Sequence, residues 1–180
     1  MKLSKMIALS AIATAFAVIL LTLGSYVELI DIVCVMYAGV AIMLPLAKQS
    51  YPGAALTFIA SAALGLLLGG MRFTVIVPFA VFFGLYPIAN ALQIRFRINK
   101  YLALAIKDVW FLGTMVLYYK LMAWLYGYDL FEDFPFMTEA LKRYVIPAMF
   151  VVGALFFILY DFIMMKMQLV VNKLVEKLKF

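Results

Sequence analysis

Between Lys5 and Glu28 the chain carries no charged residue. A helix crosses the hydrocarbon core of a bilayer with about 20 apolar residues, so this run alone is long enough to span one. Further runs of the same kind follow, and the spans are predicted at about 6–24, 30–47, 51–71, 73–94, 101–126 and 144–166. In lipid no water is available to satisfy a backbone N–H or C=O, so each run must close its hydrogen bonds within itself as a helix. The expected fold class is all-α: a polytopic membrane protein, a bundle of six transmembrane helices forming one domain over 1–180. Composition agrees, since 68% of residues are hydrophobic and 13% charged. Soluble domains are close to half apolar and about a quarter charged, and a fold of this length in water could not hide so much apolar surface.

Orientation follows from the basic residues between spans. With the N-terminus inside, the inner segments hold ten: Lys2, Lys5, Lys48, Arg95, Arg97, Lys100, Lys166, Lys173, Lys177 and Lys179. The outer segments hold three: Arg72, Lys142 and Arg143. Basic residues favour the cytoplasmic side, so the expectation is N-in and C-in in the plasma membrane, with 167–180 a basic cytoplasmic tail. The same rule accounts for the net charge of +6 without nucleic acid as a partner; the bilayer itself is the expected one. The first run starts basic and contains Ala-x-Ala triplets, but these lie within the apolar stretch, so it reads as an uncleaved helix. The acidic, aromatic segment 127–143 is expected to form an outer cap. The tail, which alternates basic and apolar residues, is expected to continue helix 6 or lie along the anionic inner leaflet.

Absences narrow the chemistry. The chain has no histidine and one cysteine, Cys34, so no imidazole can ligate a metal or serve as a base and no internal disulfide can form. No phosphate-binding Gly-x-x-x-x-Gly-Lys loop is present, and no nucleophile-and-base set is visible. The expectation is a protein that is not an enzyme, with no cofactor and no metal site.

Charges within a span are costly and mark candidate functional positions. Lys107 falls about 9 Å along helix 5 from its inner end, and Asp161 about 7–8 Å from the inner end of helix 6. Similar depth and opposite sign predict an ion pair between Lys107 and Asp161. Asp108 points about 100° away from Lys107 and needs its own partner or water. Near the outer end of helix 5, Lys120 sits among Tyr118, Tyr119 and Trp124. Such a set is either an interfacial anchor or the edge of an outward pocket. Arg72 lies on the same side, as do Glu28 and Asp31, which would suit a cationic group. In helix 4, Pro87 removes a backbone donor and Gly84 eases a kink, which makes Tyr86 and Asn90 candidates for lining a cavity. The candidate substrate-binding residues are therefore Arg72, Tyr86, Asn90, Tyr119 and Lys120. Small residues at a spacing of four allow close helix approach in lipid. They occur as Ala11/Ala15 and Ala13/Ala17 in helix 1 and as Ser61/Gly65/Gly69 in helix 3; the spacing alone leaves internal packing and partner docking both open.

With six spans, both termini inside and the Ala11/Ala15 pattern early in helix 1, the chain resembles the S component of energy-coupling-factor transporters. That resemblance implies a membrane-embedded substrate-capture subunit for a micronutrient. It implies docking through Ala11 and Ala15 onto a transmembrane coupling subunit that cytoplasmic ATPases drive. The stretch 24–31 is shorter than the ligand-covering loop of many such proteins. The architecture is also similar to MreD-like morphogenesis proteins, which implies a non-transporting membrane scaffold or assembly subunit; a lipid-handling protein is a third alternative.

Overall fold

A computed structural model of the chain describes residues 3–127 and 139–177. Among the described residues the regular structure is helical throughout, with no strand: α1 (Leu3–Tyr26), a 3₁₀ turn (Glu28–Ile30), α2 (Asp31–Leu46), α3 (Tyr51–Leu68), α4 (Phe73–Pro78), a π turn (Phe79–Phe83), α5 (Tyr86–Arg95), α6 (Lys100–Tyr126) and α7 (Glu139–Lys177). Six helical segments are long and apolar enough to cross a membrane: Ser4–Tyr26, Glu28–Leu46, Tyr51–Leu68, Phe73–Arg95, Lys100–Tyr126 and Arg143–Lys177. Most of the expected outer cap, residues 128–138, lies outside the described residues, as do the last three residues of the tail. The tail up to Lys177 is a direct continuation of α7.

The contacts group into two compact units. Unit 1 comprises Met1–Ile98 with Ile163–Phe180, and unit 2 comprises Asn99–Phe162.

In unit 1, α2 packs on α1, α3, α4, α5 and the π turn. The contact between α1 and α3 is a seam of small residues. On α1 the buried positions Leu9, Ala13, Ala17, Leu21 and Ser25 recur every four residues. On α3 Thr57, Ser61, Gly65 and Gly69 do the same. A Cβ on Gly65 would lie 2.9 Å from Leu21 Cδ1, and one on Gly69 would lie 2.5 Å from Ser25 Oγ. Close approach of backbones is how helices gain van der Waals contact in lipid, where no hydrophobic force drives them together. Thr57 Oγ1 donates to Ser10 O at 3.3 Å and Tyr26 Oη to Leu68 O at 3.2 Å, which ties the two helices near both ends.

The fourth span is not a continuous α-helix. Pro78 and Pro87 each lack the N–H that would bond one turn back. Between them the chain widens into the π turn, and Gly84 N donates to Phe79 O at 2.8 Å, five residues back. A Cβ on Gly84 would meet the Phe58 ring at 2.7 Å, so glycine lets α3 close on this break. The break turns Phe79, Phe82, Phe83 and Tyr86 into the core, with Phe82 edge-on to Phe83 at 5.2 Å and tilted against Tyr86 at 5.8 Å.

Unit 2 is held by large side chains. Asn99 caps α6 by accepting from Tyr101 N at 2.9 Å, and Gly127 ends it in the left-handed conformation at φ 67°, which glycine adopts without a Cβ penalty. Phe111 of α6 stacks on Phe156 and Phe157 of α7 at 5.9 and 5.5 Å. Outward faces of α6 and α7 carry Ile106, Val109, Val151, Val152, Leu155 and Leu159, all exposed. An apolar surface of this kind is at home against acyl chains and not against water.

Candidate functional site

Lys107 and Asp161 lie on α6 and α7 within unit 2. Lys107 Nζ donates to Asp161 Oδ1. Both residues are buried, at 6% and 7% exposure. Their neighbourhood is aromatic, with Tyr160 and Phe157 both buried and their rings 6.5 Å apart. A buried ion pair in an apolar setting contributes little net stability, but each charge becomes costly once its partner is removed. Beside it Asp108 is half-buried, and its Oδ1 has no hydrogen-bond partner among the described residues.

Tyr119 and Lys120 line a groove between α6 and α7, also within unit 2, of about 310 Å³. Its walls include Met115, Val116, Met149 and Phe150, and Lys120 is the one charged residue among its described lining. Methionine and aromatic walls adapt to irregular apolar shapes, and a single ammonium at the edge adds attraction for an anionic group. The groove therefore suits a ligand with an apolar body and a negative end.

The other three candidate binding residues belong to unit 1. Arg72 is half-exposed at the start of α4 and pairs with the exposed Glu28 at 3.5 Å. Tyr86 and Asn90 are buried in the core, at 0% and 2% exposure. Arg72 and Tyr86 are fourteen residues apart on one span, about 21 Å along the axis.

The small residues divide cleanly. Ala13 and Ala17 are fully buried, as are Ser61, Gly65 and Gly69 in the α1–α3 seam. Ala11 and Ala15 are exposed on the opposite side of α1, interleaved with Ile12, Phe16 and Ile19.

Sequence reasoning passed over one further group. Gln49, Tyr51, Arg95, Gln168 and Asn172 face a common pocket at one end of unit 1. The available signal was the i,i+4 spacing of Gln168 and Asn172, the two amides of the tail. Among the described residues no group of three His, Cys, Asp or Glu side chains could hold a metal ion. Comparison of the chain with known protein families, with curated proteins and with solved structures finds no match.

Proposed function

We propose that this chain is the substrate-capture subunit of a micronutrient uptake transporter. It sits in the plasma membrane with both termini cytoplasmic, and partner ATPases power it through a transmembrane coupling subunit. The observation that carries the reading is the groove bearing Tyr119 and Lys120. The ten-to-three division of basic residues assigns that end of α6 to the outside, where a scavenged nutrient arrives. A second observation supports the docking half of the reading. Ala11 and Ala15 keep an exposed small-residue face on α1 while Ala13 and Ala17 serve internal packing, so a coupling helix could approach closely there. Transport would consist of capture in the groove, followed by reorientation driven from the cytoplasmic side.

One feature favours the scaffold reading instead. Tyr86 and Asn90 lie in a packed interior, as they would in a bundle whose role is to present surfaces. Purification of the tagged chain from its own membranes in mild detergent, followed by mass spectrometry, separates the two. Capture predicts a retained small molecule that is lost in Lys120→Leu, and a coupling subunit that is lost in Ala11→Trp with the small molecule kept. Recovery of morphogenesis proteins with no small molecule would replace capture with the scaffold.

A further inference from the structure

Where α2 turns into α3, unit 1 holds a pocket of about 460 Å³ unlike the groove in unit 2. Its polar contributors come from three places in the chain. Gln49 and Tyr51 belong to the α2–α3 turn and the start of α3, Arg95 to the end of α5, and Gln168 and Asn172 to successive turns of α7.

These groups are arranged for an anion that also donates a hydrogen bond. The Arg95 guanidinium lies over the Tyr51 ring, 5.1 Å from its centroid. A cation–π contact of this kind consumes no acceptor, so the guanidinium N–H groups remain able to donate elsewhere. Among the described residues no carboxylate lines the pocket; the turn beside it carries Lys48, and Glu176 is exposed one turn beyond Asn172. Gln168 Nε2 donates to Asn172 Oδ1 at 3.0 Å, which orients both amides. Asn172 lines the pocket with its Oδ1 already accepting, and Gln168 Oε1 is buried with no hydrogen-bond partner among the described residues. A buried acceptor left unmatched costs about 1–3 kcal/mol, so a ligand that donates to it is favoured.

Position selects among anions. The second span ends at Leu46 and the fourth at Arg95, and both residues line the pocket. It therefore opens at the depth where helices leave the hydrocarbon and phospholipid headgroups lie. Leu46 and Ile94 give its lining an apolar part.

We propose that this pocket binds the phosphate of a phosphodiester, that of a phospholipid headgroup. Arg95 and Asn172 donate to the phosphate oxygens, and Gln168 Oε1 accepts from a headgroup hydroxyl or ammonium. Phosphatidylglycerol and phosphatidylethanolamine carry such a donor; phosphatidylcholine does not. A soluble phosphate shares the chemistry, and inorganic phosphate serves as its probe. The site stands apart from the transport reading, since none of its residues belongs to the groove on α6 and α7.

The experiment is native mass spectrometry of the full chain in detergent, titrated with each lipid and, separately, with inorganic phosphate. The expected result is one retained phosphatidylglycerol or phosphatidylethanolamine per chain at concentrations where phosphatidylcholine is not retained. Arg95→Gln removes a charge-assisted bond, so apparent affinity should fall about tenfold or more. Gln168→Leu should erase the preference over phosphatidylcholine. Gln49→Ala, at the exposed turn and in the pocket lining, should weaken binding a few-fold; it tests the site should the α7 variant fail to fold, and unchanged binding would count against it. Displacement of lipid by inorganic phosphate at equal concentration would support the phosphate site and assign it to a soluble ester. Equal retention of phosphatidylcholine, or wild-type binding by Arg95→Gln, would overturn the proposal.

Discussion

The α1–α3 seam of unit 1 and the α6–α7 contact of unit 2 solve the same problem by opposite means. In the seam, side chains are removed: Gly65 and Gly69 bring α3 onto Leu21 and Ser25 at distances that admit no added carbon. Between α6 and α7, side chains are large and partly charged: Phe111 stacks on Phe156 and Phe157, and Lys107 bonds Asp161. The first contact is steric and lies mainly in the backbones. The second is electrostatic and aromatic and lies in side chains reaching across. The difference teaches that an apolar solvent leaves two ways to make helices adhere, close approach or polar pairing, and that they should fail differently.

The largest expected effect is at the ion pair. Asp161→Asn leaves the Lys107 charge buried without its carboxylate and should cost about 3–5 kcal/mol, read as a fall in the denaturation midpoint in detergent. Replacing both partners by leucine should recover most of that loss, because the penalty comes from the orphaned charge and not from the missing pair. A double variant as unstable as the single one would show that the pair is a true source of stability, and the contrast with the seam would have to be redrawn.

The seam should respond to size alone. Gly65→Leu, with its Cβ placed 2.9 Å from Leu21 Cδ1, should cost about 1–3 kcal/mol by overpacking. Leu21→Ala in the same chain should relieve part of it. If the two substitutions simply add, α1 and α3 do not press on each other at this point.

The smallest effect has the opposite sign. Gly113 lies within α6, and a Cβ there would meet nothing within 4 Å. Gly113→Ala should therefore stabilise unit 2 by roughly 0.5–1 kcal/mol, the backbone entropy that glycine forfeits in a helix. Destabilisation on the same assay would mean that a partner helix or lipid occupies that space.

The six segments of membrane-crossing length were legible in the sequence because length and apolarity are properties of each segment alone; the break in the fourth was signalled by Gly84 and Pro87. That Lys107 and Asp161 could meet was legible too, since position along a helix is arithmetic at a fixed rise per residue, and the two do bond. Two alanine pairs in α1 with identical spacing were not separable on that basis. Which face of α1 meets α3 depends on residues far away in the chain, and the fold buries Ala13 and Ala17 while exposing Ala11 and Ala15. The same limit applies to Tyr86 and Asn90. A kinked span can line a cavity or fill a core, and the aromatic cluster around the π turn fills it here.

By itself, then, the sequence determined that this chain is a set of apolar helices of membrane-crossing length, and how far along its own helix each charge sits. Both are properties of segments taken one at a time. Tertiary structure alone decided which small residues are consumed by packing, where the grooves open, and that Gln168 and Asn172 share a pocket with Arg95. Those are properties of pairs of segments, and in lipid the pairing rests on shape and on scattered polar contacts, neither of which a hydropathy pattern records.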